Sequence, residues 1–155
     1  MHIIKDTREK TGWNFTFHED VEMSVATIKY GDYTTEKLKD KVRIERKAST
    51  AEIALNLGKK TNKDRFFREL EALKDIPHRF LLCEFWESDV LQFPVNSGIP
   101  RSKLKYLRMN GKYLYKILKG IEEDYEMPII YCGSLESAEE EAVKIFKKFE
   151  EMYCG

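Results

Sequence analysis

Short blocks of alternating apolar and polar residues fill the first third of the chain. HIIKD (2–6) is compact and β-branched, and predicts a strand ending at Asp6. WNFTF (13–17) and MSVATIKY (23–30) predict two more strands, the second running into Gly31-Asp32. In DKVRIERK (40–47), Val42 and Ile44 alternate with Arg43 and Glu45, the period of a strand with one buried face. The polar TTEKLKD between them predicts a hairpin that pairs the strand before Asp32 with the strand carrying Glu45.

Helical spacing then takes over. Ser49 with Glu52 three residues later has the form of a capping box, and Gly58 is a natural stop. A second helix is expected from Asn62 to about Asp75, with Phe66, Phe67, Leu70 and Leu73 apolar and Pro77 closing it. RFLLCEFW (79–86) reads as a buried strand, and residues 87–100, with Pro94 and Pro100, as a long surface loop. A short helix to about Arg108 and another capped by Asn110 follow. PIIYC (128–132) is a further strand. Ser134 caps a last helix with Ala138, Ala142, Ile145 and Phe149 inward. Strands first, then helices alternating with strands, point to a mixed sheet flanked by helices in one α/β domain over residues 1–155.

Composition narrows the class. The chain has 155 residues, 42% hydrophobic and 35% charged, the profile of a globular domain with a sizeable core. No apolar run approaches the roughly 20 residues of a membrane span, and MHIIKDTREK lacks the apolar centre of a secretory signal. A cytoplasmic setting, in a bacterial, archaeal or phage-infected cell, is the expectation. The 3 cysteines and 3 histidines are scattered with no metal-binding spacing, so no structural zinc is expected. The 27 basic and 27 acidic side chains balance. Their distribution is uneven: Arg101 to Ile121 contains lysines and arginines and no acid, whereas the chain beyond Glu122 is strongly acidic. Arg101, Lys105, Arg108, Lys112, Lys116 and Lys119 would form a basic stripe on one continuous helix, and Asn110-Gly111 would split it. Lys63, Arg65 and Arg68 make a smaller basic cluster. Trp13 and Trp86 are expected in the core.

The chemistry lies in Glu45-Arg46-Lys47. On a strand, residues two apart share a side, so Glu45 and Lys47 face one pocket. Asp32, on the neighbouring strand, would add a second carboxylate. Two carboxylates can hold a hard divalent ion, and a lysine beside them can orient water or stabilise charge in phosphodiester hydrolysis. A D-…-E-x-K pattern is common in a chain this charged, and a solvent-facing strand edge would carry the same residues.

The surrounding residues give the pattern specificity. Asp6-Thr7-Arg8-Glu9, then Gly31-Asp32, then Glu45-Arg46-Lys47 resembles the nuclease domain of the XPF family, in the PD-(D/E)XK superfamily. RFFRELEALKDIPHRFLLCEF is similar to that family's basic amphipathic helix and following strand, and PIIYCGSLESAEEEAVKIFKKF to its closing strand and helix. The resemblance spans nearly the whole chain and is thinnest over about 87–125. Two features depart from it. Ala51 stands where the family often has Asp, with Glu52 next to it, either as a substitute or as the capping-box acid. No helix-hairpin-helix module is expected, as in a compact phage or mobile-element form.

The resemblance implies a restriction-endonuclease-like fold and a metal-dependent DNA endonuclease acting on flap, fork or junction DNA. Asp32, Glu45 and Asp6 would be metal ligands for Mg²⁺ or Mn²⁺, with the Arg46 carbonyl a further donor and Lys47 assisting the water or transition state. Arg8, Arg46, Arg65, Arg68, Lys105, Arg108 and Lys112 would meet DNA, and Glu9 and Glu52 would support the site. Glu84 ends its strand where the family has an acid. A homodimer is a further expectation, the apolar face of the last helix being one surface for it. A catalytically silent DNA-binding or dimer-partner subunit, or a junction-resolving or restriction-type nuclease, shares the same core.

Overall fold

The computed structural model describes all 155 residues. Six strands form one mixed sheet: β1 (His2–Asp6), β2 (Glu22–Ala26), β3 (Tyr33–Thr35), β4 (Val42–Lys47), β5 (His78–Cys83) and β6 (Ile129–Tyr131), in the order β2-β1-β3-β4-β5-β6. β1 pairs antiparallel with β3, and β3 antiparallel with β4. The β1–β2, β4–β5 and β5–β6 pairs are parallel. Parallel neighbours need a crossover, and helices supply it. α1 (Thr50–Gly58) and α2 (Lys60–Leu73) connect β4 to β5; α3 (Glu87–Leu91) and α4 (Gly111–Asp124) connect β5 to β6; α5 (Leu135–Cys154) closes the chain.

The strand period decides which layer each side chain joins. Leu81 and Cys83 face a core built with Ile53, Phe66, Leu70, Leu114 and Leu118 of α1, α2 and α4. Leu82 points the other way, to a core with Ile3, Tyr33, Ile44, Ala142 and Phe146. The same alternation runs along β4: Val42 and Ile44 join the α5 layer, so Glu45 and Lys47 point toward α1 and α2. The caps are where side-chain chemistry places them. Ser49, Asn110 and Ser134 each accept a hydrogen bond from the backbone N–H three residues on.

Several expectations are corrected. WNFTF is not a strand: Phe15 has φ 58, and Trp13 and Phe15 plug the α5-side core from a loop while Phe17 is 94% exposed. β2 stops at Ala26 because the Ile28 N–H donates to the Asp6 carboxylate at 2.8 Å rather than to a strand partner. The strand paired with β4 therefore begins after Asp32, at Tyr33, with a 3-10 turn (Glu36–Leu38) in the connection. α3 interrupts the expected 87–100 loop. Trp86 is 57% exposed and lies across Gly133, where a Cβ would fall 2.2 Å from the indole. The basic stripe is split, since residues Arg101–Tyr106 form a 3-10 helix and α4 starts at Gly111. The apolar face of α5 (Ala138, Ala142, Val143, Ile145, Phe146 and Phe149) packs inside the core. No helix is long and apolar enough to cross a membrane.

Candidate active site

Asp32 is held by backbone on both sides. Its carbonyl accepts from the Asp6 N–H at 2.8 Å and its N–H donates to the Ile44 carbonyl at 3.0 Å, so the residue is stitched between β1 and β4. Gly31 makes this approach feasible: its φ is +85, and an added Cβ would press on Arg43 at 3.2 Å. The Asp32 carboxylate then accepts from the Arg46 N–H at 2.8 Å, which aims it at the end of β4. N–H and C=O of one strand residue point to the same side, so the Arg46 carbonyl also lies toward Asp32.

Glu45 and Lys47 project together from β4, Lys47 Nζ being 3.7 Å from Glu45 Oε1. Nζ donates to Asn56 Oδ1 of α1 at 2.9 Å and sits 5.0 Å from the ring centroid of Phe66 in α2. The two carboxyl groups act on each other in opposite directions: Asp32 raises Glu45, whereas a hydrogen bond with Glu45 lowers Asp32. Burial raises the pKa of Glu45 well above its ordinary value, and the neighbouring Asp32 charge raises it further, against Lys47. Burial also raises Asp32, opposed by the Arg46 N–H and Lys47. For Lys47, burial disfavours the ammonium, but Glu45, Glu52, Asp32 and Glu69 together raise its pKa. The site thus holds two crowded carboxylates with one cation among them. Asp32 and Glu45 line a surface pocket of about 160 Å³ with Asp6, Arg8, Lys29 and Glu69, while Lys47 lies buried behind Glu45 and does not line it.

Asp6 is 1% exposed and already committed. Oδ1 accepts from the Ile28 N–H at 2.8 Å; Oδ2 accepts from the Arg8 N–H at 3.2 Å and from Arg8 Nε at 2.7 Å. Its geometry is that of an anchor for Arg8, which also donates to the Ile28 carbonyl at 2.9 Å. Arg46, expected at DNA, is turned to the opposite side of β4. Its guanidinium is 8% exposed and gripped by Glu84 through two hydrogen bonds, 2.8 and 3.1 Å, with Glu9 at 3.5 Å. Glu84 also accepts from Trp13 Nε1 at 2.9 Å. Glu52 reaches back past the N-cap to accept the Ala48 N–H at 2.8 Å, a half-formed capping box, though its charge still reaches Lys47. Arg65 and Arg68 are exposed on α2, and Lys105, Arg108 and Lys112 are exposed on the far side of α1 or on α4.

Glu9 is pushed up to about 7, mainly by burial and by the Asp32 charge, with Arg46 opposing. Its folded value lies above its ordinary 4.5, so the folded chain holds a proton that the unfolded chain releases in between. Glu9 therefore favours folding below its ordinary value, and that contribution is lost as pH rises toward 7. A Glu9→Gln chain is expected to show a flatter stability–pH slope between pH about 5 and 7 in urea titrations. An unchanged slope contradicts this.

Comparison with solved structures identifies the architecture. XPF from Aeropyrum pernix in complex with DNA superimposes over 99% of this chain with a TM-score of 0.68 at 16% identity. XPF from the same organism covers 96% of this chain with a TM-score of 0.69, again at 16% identity. The chain has the XPF fold. It spans 67% and 61% of the lengths of those two XPF chains. No family model and no curated protein matches the sequence.

Within the XPF fold, sequence reasoning missed Asn56 and Glu69. Asn56 sits four residues after Glu52, on the face of α1 turned to Lys47. Glu69 sits three residues after Phe66, at the border of the apolar face of α2. For Asn56 the signal was a polar residue one helical turn from Glu52, already tied to the site; Glu69, one turn from the apolar Phe66, carried no such signal. No group of three or more His, Cys, Asp or Glu side chains is assembled as a metal cage. The donor set that is assembled is the pair of buried carboxyl groups of Asp32 and Glu45, whose hard oxygens fit a divalent ion such as Mg²⁺ or Mn²⁺. Such ions bind through one or two carboxylates and complete their shell with water and substrate phosphate oxygens.

Proposed function

We propose that this chain is a divalent-metal-dependent DNA endonuclease, acting on branched DNA such as flaps, forks or junctions. The observation that carries the reading is the juxtaposition of Asp32, Glu45 and Lys47 on the XPF fold. Crowded buried carboxylates cost stability unless a cation relieves them, and sites under such strain are where catalysis is found. The DNA in one of the similar XPF structures supports DNA as substrate.

In this reading Asp32 and Glu45 hold Mg²⁺ or Mn²⁺, with the Arg46 carbonyl as a further donor. The ion supplies Lewis-acid stabilisation of the phosphate and a lowered pKa for water. Lys47 keeps its ammonium beside Glu45, oriented by Asn56, where it can donate to the attacking water or to a phosphate oxygen as negative charge grows. Asp6 holds Arg8 at the pocket rim, and Arg8 and Lys29 meet the phosphate backbone. Arg46, through Glu84, fixes the end of β4 so that its N–H stays aimed at Asp32. Arg65, Arg68, Lys105, Arg108 and Lys112 provide outer phosphate contacts, whose effect falls with salt.

The test is cleavage of duplex, flap, fork and four-way-junction DNA. With Mg²⁺ or Mn²⁺ the wild type cuts a branched substrate, with EDTA it does not, and Lys47→Ala cuts roughly a hundredfold or more slowly. Absence of cleavage with both metals, or normal cutting by Lys47→Ala, contradicts the proposal.

A further inference from the structure

A second concavity lies on the other side of α1, with a volume of about 610 Å³. Ala51, Ala54, Leu55 and Gly58 form one wall, at the spacing that shares a helix face. Ile99, just before Pro100, and Leu107 and Met109, just after the 3-10 helix, line the other. Two side chains at this groove lie open to water despite their apolar area: Leu55 is 65% exposed and Tyr106 is 72% exposed. Lys59, Lys103 and Arg108 also line it, and no aspartate or glutamate does. Lys105 Nζ stands 5.2 Å from the Tyr106 ring centroid and adds to the positive charge there.

An apolar floor with an exposed aromatic ring and a cationic rim free of acids has the chemistry of a surface for unpaired nucleic acid. Bases offer flat faces to stack on tyrosine and leucine, and phosphates meet the lysines and arginine. A duplex would present phosphates to the apolar floor and keep its bases stacked inside. A twofold contact between two copies would set Lys59, Lys103 and Arg108 against the same cations.

The groove also neighbours the site across α1. Asn56, which holds Lys47, and Glu52 lie on the adjacent flank of α1. One helix, roughly 10–12 Å across, separates the two. A strand crossing it needs only a few nucleotides at about 3.4 Å or more each. We propose that this groove binds the single-stranded arm of the DNA cut at Asp32 and Glu45, its bases on Leu55 and Tyr106 and its phosphates on Lys59, Lys103 and Arg108. The proposal rests on the nuclease reading above and names the part of the substrate that the pocket itself does not contact.

The test is fluorescence anisotropy of a labelled oligo-dT with the full chain in EDTA, so that nothing is cut. Because Leu55 and Tyr106 are exposed, a Leu55→Ser, Tyr106→Ala double variant is expected to melt like the wild type. It should bind oligo-dT roughly tenfold or more weakly. Joint replacement of Lys59, Lys103 and Arg108 by alanine should reduce the salt dependence, the slope of log affinity against log salt falling by about two. Wild-type affinity in the well-folded double variant, or no oligo-dT binding by the wild type, overturns the proposal. Its failure leaves a distinct signature from failure of the nuclease reading. A wild type that cuts branched DNA while the double variant binds oligo-dT normally removes only the groove. Tyr106-dependent binding without any metal-dependent cutting removes only the nuclease.

Discussion

An Asp32→Asn chain is expected to cut DNA about a thousandfold more slowly than the wild type while being at least as stable at neutral pH. The rate loss follows from removing one of two charged donors for the ion, whose stabilisation of transition-state charge is worth several kcal/mol, at about 1.4 kcal/mol per tenfold. The stability result follows from the electrostatics. Asp32 is raised in pKa mainly by burial, so its ionised form opposes folding. The group's folded value exceeds its unfolded one, so its contribution to stability is present at low pH and lost as pH rises. Asparagine removes the charge and keeps an oxygen to accept from the Arg46 N–H. Single-turnover cleavage and urea denaturation on the same preparation read both quantities. Loss of activity accompanied by equal loss of stability would mark Asp32 as a structural residue only.

Glu84→Ala is expected to destabilise the chain by about 3 kcal/mol, a large share of a typical domain's stability. Removing one partner of a buried pair leaves the Arg46 guanidinium with only Glu9, at 3.5 Å, and takes away the acceptor of Trp13 Nε1 as well. Glu84→Gln keeps an acceptor and should cost markedly less. If Glu84→Ala melts with the wild type, Arg46 is not the anchor of β4. The same pair explains why Arg46 differs from Lys47 despite being adjacent. Strand alternation sends one into a closed network on the α5 side and the other into the site.

These two residues show how far the chain could be read without its structure. The E-R-K strand was legible because period two fixes sides before any neighbour is known. Capping was legible at Ser49, Asn110 and Ser134, since it is local. What failed depended on distant partners. WNFTF has a strand's alternation, yet Trp13 stacks on Tyr33 at 4.6 Å from a loop and hands its ring N–H to Glu84, 71 residues away. β2 ends early because Asp6, on another strand, captures the Ile28 N–H. Asp6 reads in sequence as one more acid for the site, but three hydrogen bonds from two backbone N–H groups and Arg8 occupy it. Glu69 and Asn56 join the site only because α1 and α2 fold back over the end of β4.

Calorimetric titration of Mn²⁺ into the wild type and Asp32→Asn reads whether Asp32 and Glu45 hold a divalent ion. Glu45 has a raised pKa and must be ionised to bind, so wild-type binding should release protons and tighten as pH rises. The proton release appears as a heat that changes between buffers of different ionisation enthalpy. The expected result is such binding in the wild type and its loss in Asp32→Asn. No Mn²⁺ binding by the wild type, or the same binding in both chains, would contradict the account.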